Sequence, residues 1–170
     1  MRNILKMRKE IIKEYMATGQ KEMVSLELKA ITLDADHHTH FSLDSRDVFD
    51  LDLLRAIEDS GKEEALDKSN RRWEHIIPKK VLRQAFEDNN DELIDSLLEA
   101  TVIAGITLDN DAKLTDAGLR MSMPAEFYLP GSSMFANPYA RYMAIGLELY
   151  NESTGLPIDF TNFTNTIQGV

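Results

Sequence analysis

Residues 91–115, DELIDSLLEATVIAGITLDNDAKLT, place a helical pattern directly before a strand, a turn and a second strand. In the first part the apolar residues recur every three or four positions, which is the spacing of one buried helix face. In the second part Asp109-Asn110-Asp111-Ala112 separates two short apolar segments, 106–108 and 113–115, and this arrangement favours a β-hairpin. The stretch therefore predicts a fold of the α+β class.

The rest of the chain supplies further helices, because capping residues and helix-ending glycines flank apolar residues with helical spacing. Gly19 and Gly61 suit the ends of two such segments, and Pro78 and Pro138 suit the first turn of two others. The predicted helices are 2–18, about 45–59 with Ser45 or Asp47 as its cap, 62–75, 78–86, 91–104 with Asn89-Asn90-Asp91 at its start, and 138–151 with Asn137 as its cap.

A short N-terminal strand is predicted at residues 23–30, where Val24, Leu26 and Leu28 alternate with mainly polar neighbours. Alternation with a period of two indicates a strand that buries one face. The alternation changes phase at 31–33, which indicates a bulge or a turn.

The chain has 170 residues, of which 43% are hydrophobic, so we expect one domain with a substantial core. We predict a helix-rich single domain of the α+β class, with a short N-terminal strand, a small β-hairpin and a loop-rich C-terminal arm. Residues 1–120 would form its core, beginning with an amphipathic helix at 2–18. Residues 121–170 would form the loop-rich region with one helix.

The sequence contains no cysteine, which excludes disulfide bonds and thiolate chemistry. The N-terminal residues lack the apolar stretch of a secretory signal, and no apolar run approaches the ~20 residues of a membrane span. These features predict a protein of the cytoplasm or, for a viral chain, of the host cytoplasm or the virion.

The net charge of −10 is distributed in blocks, with residues 30–67 and 84–118 acidic and residues 68–83 basic. Basic residues beside an aromatic ring can bind nucleic acid. In so acidic a chain we favour pairing with acidic blocks, internally or between subunits, over nucleic-acid binding, with simply solvated faces as the alternative. Five residues of the basic block are predicted to bind a partner: Arg71, Arg72, Trp73, Lys79 and Lys80.

Residues 34–40, Asp-Ala-Asp-His-His-Thr-His, hold three of the chain's four histidines. In an extended conformation Asp36, His38 and His40 point to the same side and could bind a divalent metal such as Zn²⁺, which would activate a water for hydrolysis. Two alternatives stay open for this segment. One is a polar connector whose histidines are solvated or bond to nearby backbone. The other is a pH-responsive contact, since clustered histidines titrate near neutral pH.

The stretch His38-Thr39-His40-Phe41-Ser42-Leu43-Asp44 resembles the first motif of the PHP family of metal-dependent phosphoesterases, an H-x-H followed closely by Ser-Asp. The resemblance covers seven residues and implies metal-dependent hydrolysis at this segment. The chain departs from the family pattern in the spacing of Ser42 and Asp44. A PHP barrel also needs further His, Glu and Cys ligands, whereas this chain has one histidine outside residues 34–40 and no cysteine.

The end of the predicted core is similar to the end of a winged-helix domain, in which a helix, a two-stranded wing and a Leu-Thr-x-x-Gly step follow one another. Leu114, Thr115 and Gly118 carry that similarity. It implies a winged-helix-like part at 79–120, with the helix at 91–104 in the position that reads DNA. This helix carries four acidic side chains and no basic one, which would repel phosphates, so the similarity favours protein contacts.

The segment 121–139 combines methionines and aromatic residues with three prolines and little charge. Such a composition is typical of the centre of a contact surface, although the same side chains could fill the core of this domain. Six of its residues are predicted to bind a partner: Met121, Met123, Phe127, Tyr128, Met134 and Phe135.

These patterns favour a non-enzymatic interaction or assembly protein that binds a protein partner or a second copy of itself, without a resident cofactor. An accessory or structural component of a virus or mobile element fits the same composition. The first alternative is a metal-dependent hydrolase that uses Asp36, His38 and His40 with a divalent metal such as zinc. The second alternative is a DNA-associated regulator with a winged-helix-like core.

Overall fold

The computed structural model describes residues 2–33, 48–99 and 103–161. Within these ranges the chain forms α-helices, one 3₁₀ turn and short strands, so the α+β class is confirmed. The helices are α1 (Arg2–Ala17), α2 (Lys21–Leu33), α3 (Leu51–Ser60), α4 (Lys62–Ala65), α5 (Lys79–Glu87), α6 (Asp91–Glu99), α7 (Leu108–Asp116) and α8 (Ala140–Ala144). The 3₁₀ turn spans Ala125–Tyr128, and the strands are β1 (Val48–Asp50), β2 (Arg71–His75), β3 (Ile103–Thr107), β4 (Leu149–Asn151) and β5 (Leu156–Pro157).

The five strands form one sheet in the order β2-β3-β1-β4-β5. The central strand β1 runs parallel to β3 and antiparallel to β4. The longest pairing is the antiparallel one between β2 and β3, which sets Arg71 opposite Thr107 and Trp73 opposite Gly105. The strand β2 therefore lies at one edge of the sheet, and β5 lies at the other.

The sheet separates two hydrophobic clusters, because alternate side chains of a strand point to opposite faces. The larger cluster joins the helices α1, α2, α5, α6 and α7 to the C-terminal part of the chain, from Ile12 to Leu149. The smaller cluster is centred on Phe49 and Leu53, with Trp73 and Tyr150 packed against it. The C-terminal part thus contributes both side chains and the strand β4 to the packed interior.

Gly105 in the middle of β3 allows the smaller cluster to approach the sheet. A Cβ atom built at this position would lie 2.7 Å from Cδ1 of Phe49 and 3.1 Å from Cδ2 of Leu53. Real side chains do not approach so closely, so a residue larger than glycine would displace the Phe49 ring.

The helix α2 occupies the place of the predicted N-terminal strand, so the prediction for residues 23–30 is wrong. Val24 and Leu28 are buried, whereas Leu26 is 57% exposed. Residues four apart share a helix face, so the pair Val24 and Leu28 suits a helix as well as a strand. Packing decides between them, because α2 folds back on α1 after Gly19, which has a φ of +72°.

The predicted β-hairpin at 106–115 is also wrong, because the chain leaves β3 at Thr107 and enters α7 directly. Asp109 and Asp111 lie in the first turn of α7, where the helix dipole favours negative charge. Leu114 is fully buried on the inner face of the helix. The helix α7 occupies the place of the predicted wing, so in the described residues 79–99 and 103–120 the winged-helix similarity does not extend to the fold.

Four predicted helices are shorter than expected because part of each segment joins the sheet. Residues 48–50 of the segment 45–59 form β1, so α3 begins at Leu51. The segment 62–75 divides into α4 and β2, and 138–151 divides into α8 and β4. The segment 91–104 ends as a helix at Glu99, and β3 begins at Ile103. In each case a strand partner distant in sequence outweighs the local helical preference.

Several helix boundaries agree with the sequence. Gly61 ends α3, α5 begins directly after Pro78, and the side chain of Asn90 accepts a hydrogen bond from the Leu93 amide at the start of α6. The cap of α3 is Asp50, whereas Ser45 and Asp47 lie outside the described residues. No helix in the three described ranges is long and apolar enough to cross a lipid bilayer.

Candidate functional site

A buried carboxylate lies where the parallel strands β1 and β3 end. In sheets with parallel strands, ligands commonly bind just beyond these carboxyl ends. Asp50 is fully buried there, and its Oδ2 atom accepts hydrogen bonds from the Thr107 amide at 2.7 Å and from Nδ2 of Asn110 at 2.7 Å. Its Oδ1 atom accepts a bond from the Leu53 amide at 2.7 Å.

These bonds occupy both oxygens of Asp50 in holding the fold together. The carboxylate caps α3 through Leu53 and fixes the start of α7 through Asn110, which in turn accepts a bond from Lys113 Nζ at 2.8 Å. Both carboxylate oxygens have hydrogen-bond partners within the fold, as buried polar groups require. We therefore interpret this cluster as a structural joint between β1, β3 and two helices.

The second buried charge is Arg141 in α8, which is fully buried and ties the end of β2 to the C-terminal part of the chain. Its guanidinium donates to the carbonyls of His75 and Ile76 and to Oε2 of Glu74 at 3.3 Å. It also donates to the carbonyls of Leu119 and Arg120. A planar guanidinium can serve so many acceptors at once because its five N–H groups are fixed in a fork.

Burial raises the pKa values of two side chains that bond to Arg141. Burial raises the pKa of Glu74, and the adjacent Arg141 opposes that rise without cancelling it. Burial likewise raises the pKa of the Tyr142 phenol to about 12, again against the opposing charge of Arg141. Tyr142 therefore stays protonated at neutral pH and donates or accepts hydrogen bonds only as a phenol.

The edge strand β2 carries three of the predicted partner-binding residues. The Arg71 guanidinium lies 4.6 Å from the Trp73 ring centre, and Trp73 packs 5.8 Å from the ring of Phe49. Arg71 also donates through Nε to the Leu66 carbonyl at 2.8 Å. On the opposite face, Arg72 lies 3.8 Å from Asp111, and 49% of its side chain is exposed.

The strand β2 has one strand neighbour among the described residues. Within residues 2–33, 48–99 and 103–161, β3 is the strand paired with β2, and that pairing lies on the inner side. At the far end, Arg141 donates to the His75 carbonyl. The segment from Arg71 to Glu74 thus lies at the edge of the sheet, before the carbonyl to which Arg141 donates.

The other predicted partner-binding residues are spread over several surroundings. Met123 and Phe127 are buried in the larger cluster, so their apolar side chains fill the core, which is the alternative given for this segment, and their contact with a partner stays a prediction. Met121 and Tyr128 are more than half exposed, and Met134 and Phe135 are partly buried. Lys79 and Lys80 lie in the first turn of α5, partly buried and exposed respectively.

The predicted metal ligands Asp36, His38 and His40 lie outside the described residues, and the metal site stays a prediction. In the described part of the chain, no three His, Asp or Glu side chains come together in a group that could hold a metal ion.

The sequence did not predict the role of Asp50, Asn110 and Arg141, whose side chains join segments that are far apart in the chain. The sequence does contain a signal for Asp50, because an aspartate commonly caps a helix by accepting a hydrogen bond from the amide three residues further along, here that of Leu53. The bonds of Arg141 join residues far apart in sequence, so no local pattern reveals them.

Comparison of the chain with known protein families, characterised proteins and solved structures found no match.

Proposed function

We propose that the chain is a protein-interaction or assembly module that binds an extended segment of a partner protein along the outer edge of β2. The observation that carries the proposal is the position of Arg71–Glu74 at the end of the sheet, with its outer side unpaired by any strand of the described residues. Backbone groups on such an edge form hydrogen bonds readily with an added strand.

The side chains of this edge favour an acidic partner segment. Among the described residues, Arg72 lies 3.8 Å from the carboxylate of Asp111 and donates to the Lys68 carbonyl at 3.5 Å, and half of its side chain is exposed. Arg71 is held above Trp73, which fixes the guanidinium and lowers the entropy lost on binding. Opposite charges placed across neighbouring strands contribute about 0.2–1 kcal/mol per pair, enough to select a partner but not to bind it alone.

The same two arginines discourage association with the wrong strand. Charged residues on an edge strand oppose pairing with apolar or basic segments, and β2 is short. Affinity would then come from backbone hydrogen bonds, and specificity from the charges of the partner segment. This combination suits a module that assembles with one defined protein.

Photocrosslinking at the edge tests the proposal. A photoreactive amino acid in place of Arg72 should capture a protein partner in the cells that express the chain, and mass spectrometry of the product should map the crosslink to an extended acidic segment. The matched control puts the same amino acid in place of Arg55, an exposed arginine of α3. Native mass spectrometry of the isolated protein shows whether that partner is a second copy.

Binding of the captured partner should then weaken in Arg72→Glu and stay unchanged in Arg55→Glu. Equal crosslinking from both positions, or equal binding by both charge-reversed variants, would contradict an interaction at this edge.

A further inference from the structure

A cleft separates the turn of the α1–α2 hairpin from the second half of α5. Its volume is about 400 Å³. Its floor is apolar, because Val24 and Phe86 are almost fully buried there and Tyr15 and Met16 are partly buried beside them. None of these residues belongs to the β2 edge, so the cleft is independent of the proposed partner surface.

The rim of the cleft carries two cations and one carboxylate: Lys21, Arg83 and Glu87. In the part of the chain that the structure describes, neither Lys21 nor Arg83 makes a side-chain hydrogen bond or an ion pair. This holds for Arg83 although Glu87 lies four residues further along the same helix, a spacing at which opposite charges often pair. Two unengaged cations therefore border an apolar floor.

We propose that this cleft binds a small carboxylic acid with an apolar body, such as an aryl or alkyl carboxylate. The apolar body would cover Val24, Phe86 and the Met16 side chain, and its carboxylate would bond to Arg83 and Lys21. Arginine suits the carboxylate because its planar fork can donate two parallel hydrogen bonds. Methionine suits an apolar body of variable shape because its unbranched side chain adapts.

The size of the cleft favours a small molecule. Small-molecule sites commonly enclose about 300–1,000 Å³ and combine an apolar lining with a few polar groups, as this cleft does.

The test uses phenylbutyrate as the probe and phenylbutanol as its uncharged counterpart, titrated into the full chain and followed by backbone amide NMR. We expect phenylbutyrate to bind with a Kd of about 1 mM or tighter, given its dozen or so heavy atoms. The shifted amides should include Gly19, Lys21 and Val24. Phenylbutanol should bind about tenfold more weakly, because it lacks the charge-assisted bonds.

Two matched substitutions in α5 test whether Arg83 binds the carboxylate of the ligand. Arg83→Gln should weaken phenylbutyrate binding about tenfold or more, whereas Lys80→Gln, which removes an exposed cation outside the cleft, should not change it. If Arg83→Gln alters the fold, Lys21→Gln at an exposed position of the rim tests the carboxylate contact instead, and it should also weaken phenylbutyrate binding. The proposal is overturned if phenylbutyrate does not bind at about 10 mM, if the alcohol binds equally well, or if the amide shifts lie elsewhere.

Discussion

Asp50 and Asn110 are joined side chain to side chain, with 2.7 Å between Oδ2 of the aspartate and Nδ2 of the asparagine. Both residues are buried, and they connect the start of α3 to the first turn of α7 across the central part of the sheet. The position of two helices on the sheet therefore depends on one carboxylate.

Replacing Asp50 with alanine should lower the free energy of unfolding by about 3–7 kcal/mol. The change removes a helix cap, worth ~1 kcal/mol, and leaves the part-buried Thr107 amide and the buried Asn110 side chain without an acceptor, at about 1–3 kcal/mol each. Urea unfolding followed by circular dichroism measures the loss. Asp52→Ala, an exposed substitution in the first turn of the same helix, should cost less than about 1 kcal/mol. Similar losses for both variants would show that Asp50 does not have this role.

Gly105→Ala should destabilise the chain by about 1–3 kcal/mol, because its methyl group would overlap the Phe49 ring. Phe49→Leu on its own should also destabilise, by leaving a cavity beside Leu53. The double variant should be more stable than the sum of the two losses predicts, since leucine leaves space for the new methyl group. A double-mutant cycle from urea unfolding gives this coupling, and strictly additive losses would mean that the two residues do not compete for space.

Lys9 should contribute more to stability than its helical neighbour Lys13. Burial lowers the pKa of Lys9, but bonds to Asp95 and Asp91 more than compensate and leave it above its ordinary value. The Lys9 side chain is 9% exposed, and Nζ lies 2.8 Å from Asp95, whereas Lys13 is 26% exposed and pairs with the half-exposed Asp91.

We expect Lys9→Ala to cost about 1–2 kcal/mol, since it loses buried methylenes as well as the ion pair, and Lys13→Ala to cost less than about 1 kcal/mol. Thermal and urea unfolding provide both values. Hydrogen exchange should show faster exchange in α1 for Lys9→Ala. A larger loss for Lys13→Ala would reverse this ranking.

Glu74 should make the stability of the chain fall as the pH rises above the ordinary glutamate range. Burial raises the pKa of Glu74 in the folded state, so the folded chain binds this proton more tightly than the unfolded chain does. The resulting stability is fully present below the unfolded pKa of 4.5 and is lost as the pH rises through the folded pKa.

Glu74→Gln removes this contribution and keeps the shape of the side chain. The free energy of unfolding of the variant, minus that of the wild type, should therefore increase with pH above 4.5 and then level off. Urea unfolding of both proteins at a series of pH values provides the difference. A difference that is constant with pH, or that decreases, would contradict the raised pKa.

The sequence predicts those features that depend on neighbouring residues. Gly61 ends α3 because a glycine with a φ of +86° can leave the helix, and Asn90 begins α6 because its side chain reaches the Leu93 amide. Both interactions span a few residues, so a local pattern contains all the information needed. The helical content follows from the same kind of pattern, whereas the predicted strand at 23–30 lies in α2 and most of the predicted hairpin at 106–115 lies in α7.

The strands are less predictable, because distant partners decide them. Arg71–His75 has little apolar character, yet it becomes a strand by pairing with β3 over its whole length. The spacing of Val24 and Leu28 fits both a helix and a strand. The helix forms because packing against α1 buries both side chains on one side. The candidate site at the edge of β2 depends on this pairing, so the sequence identifies Arg71, Arg72 and Trp73 without showing that they form an edge.

The central strand β1 has consequences for synthesis on the ribosome. Val48 pairs with Asn151, near the other end of the described chain, and β3 lies between them in sequence. A nascent chain that has exposed β1 and β3 outside the exit tunnel still lacks one neighbour for the middle of its sheet. We therefore expect the middle of the sheet to be completed only after β4 has left the ribosome.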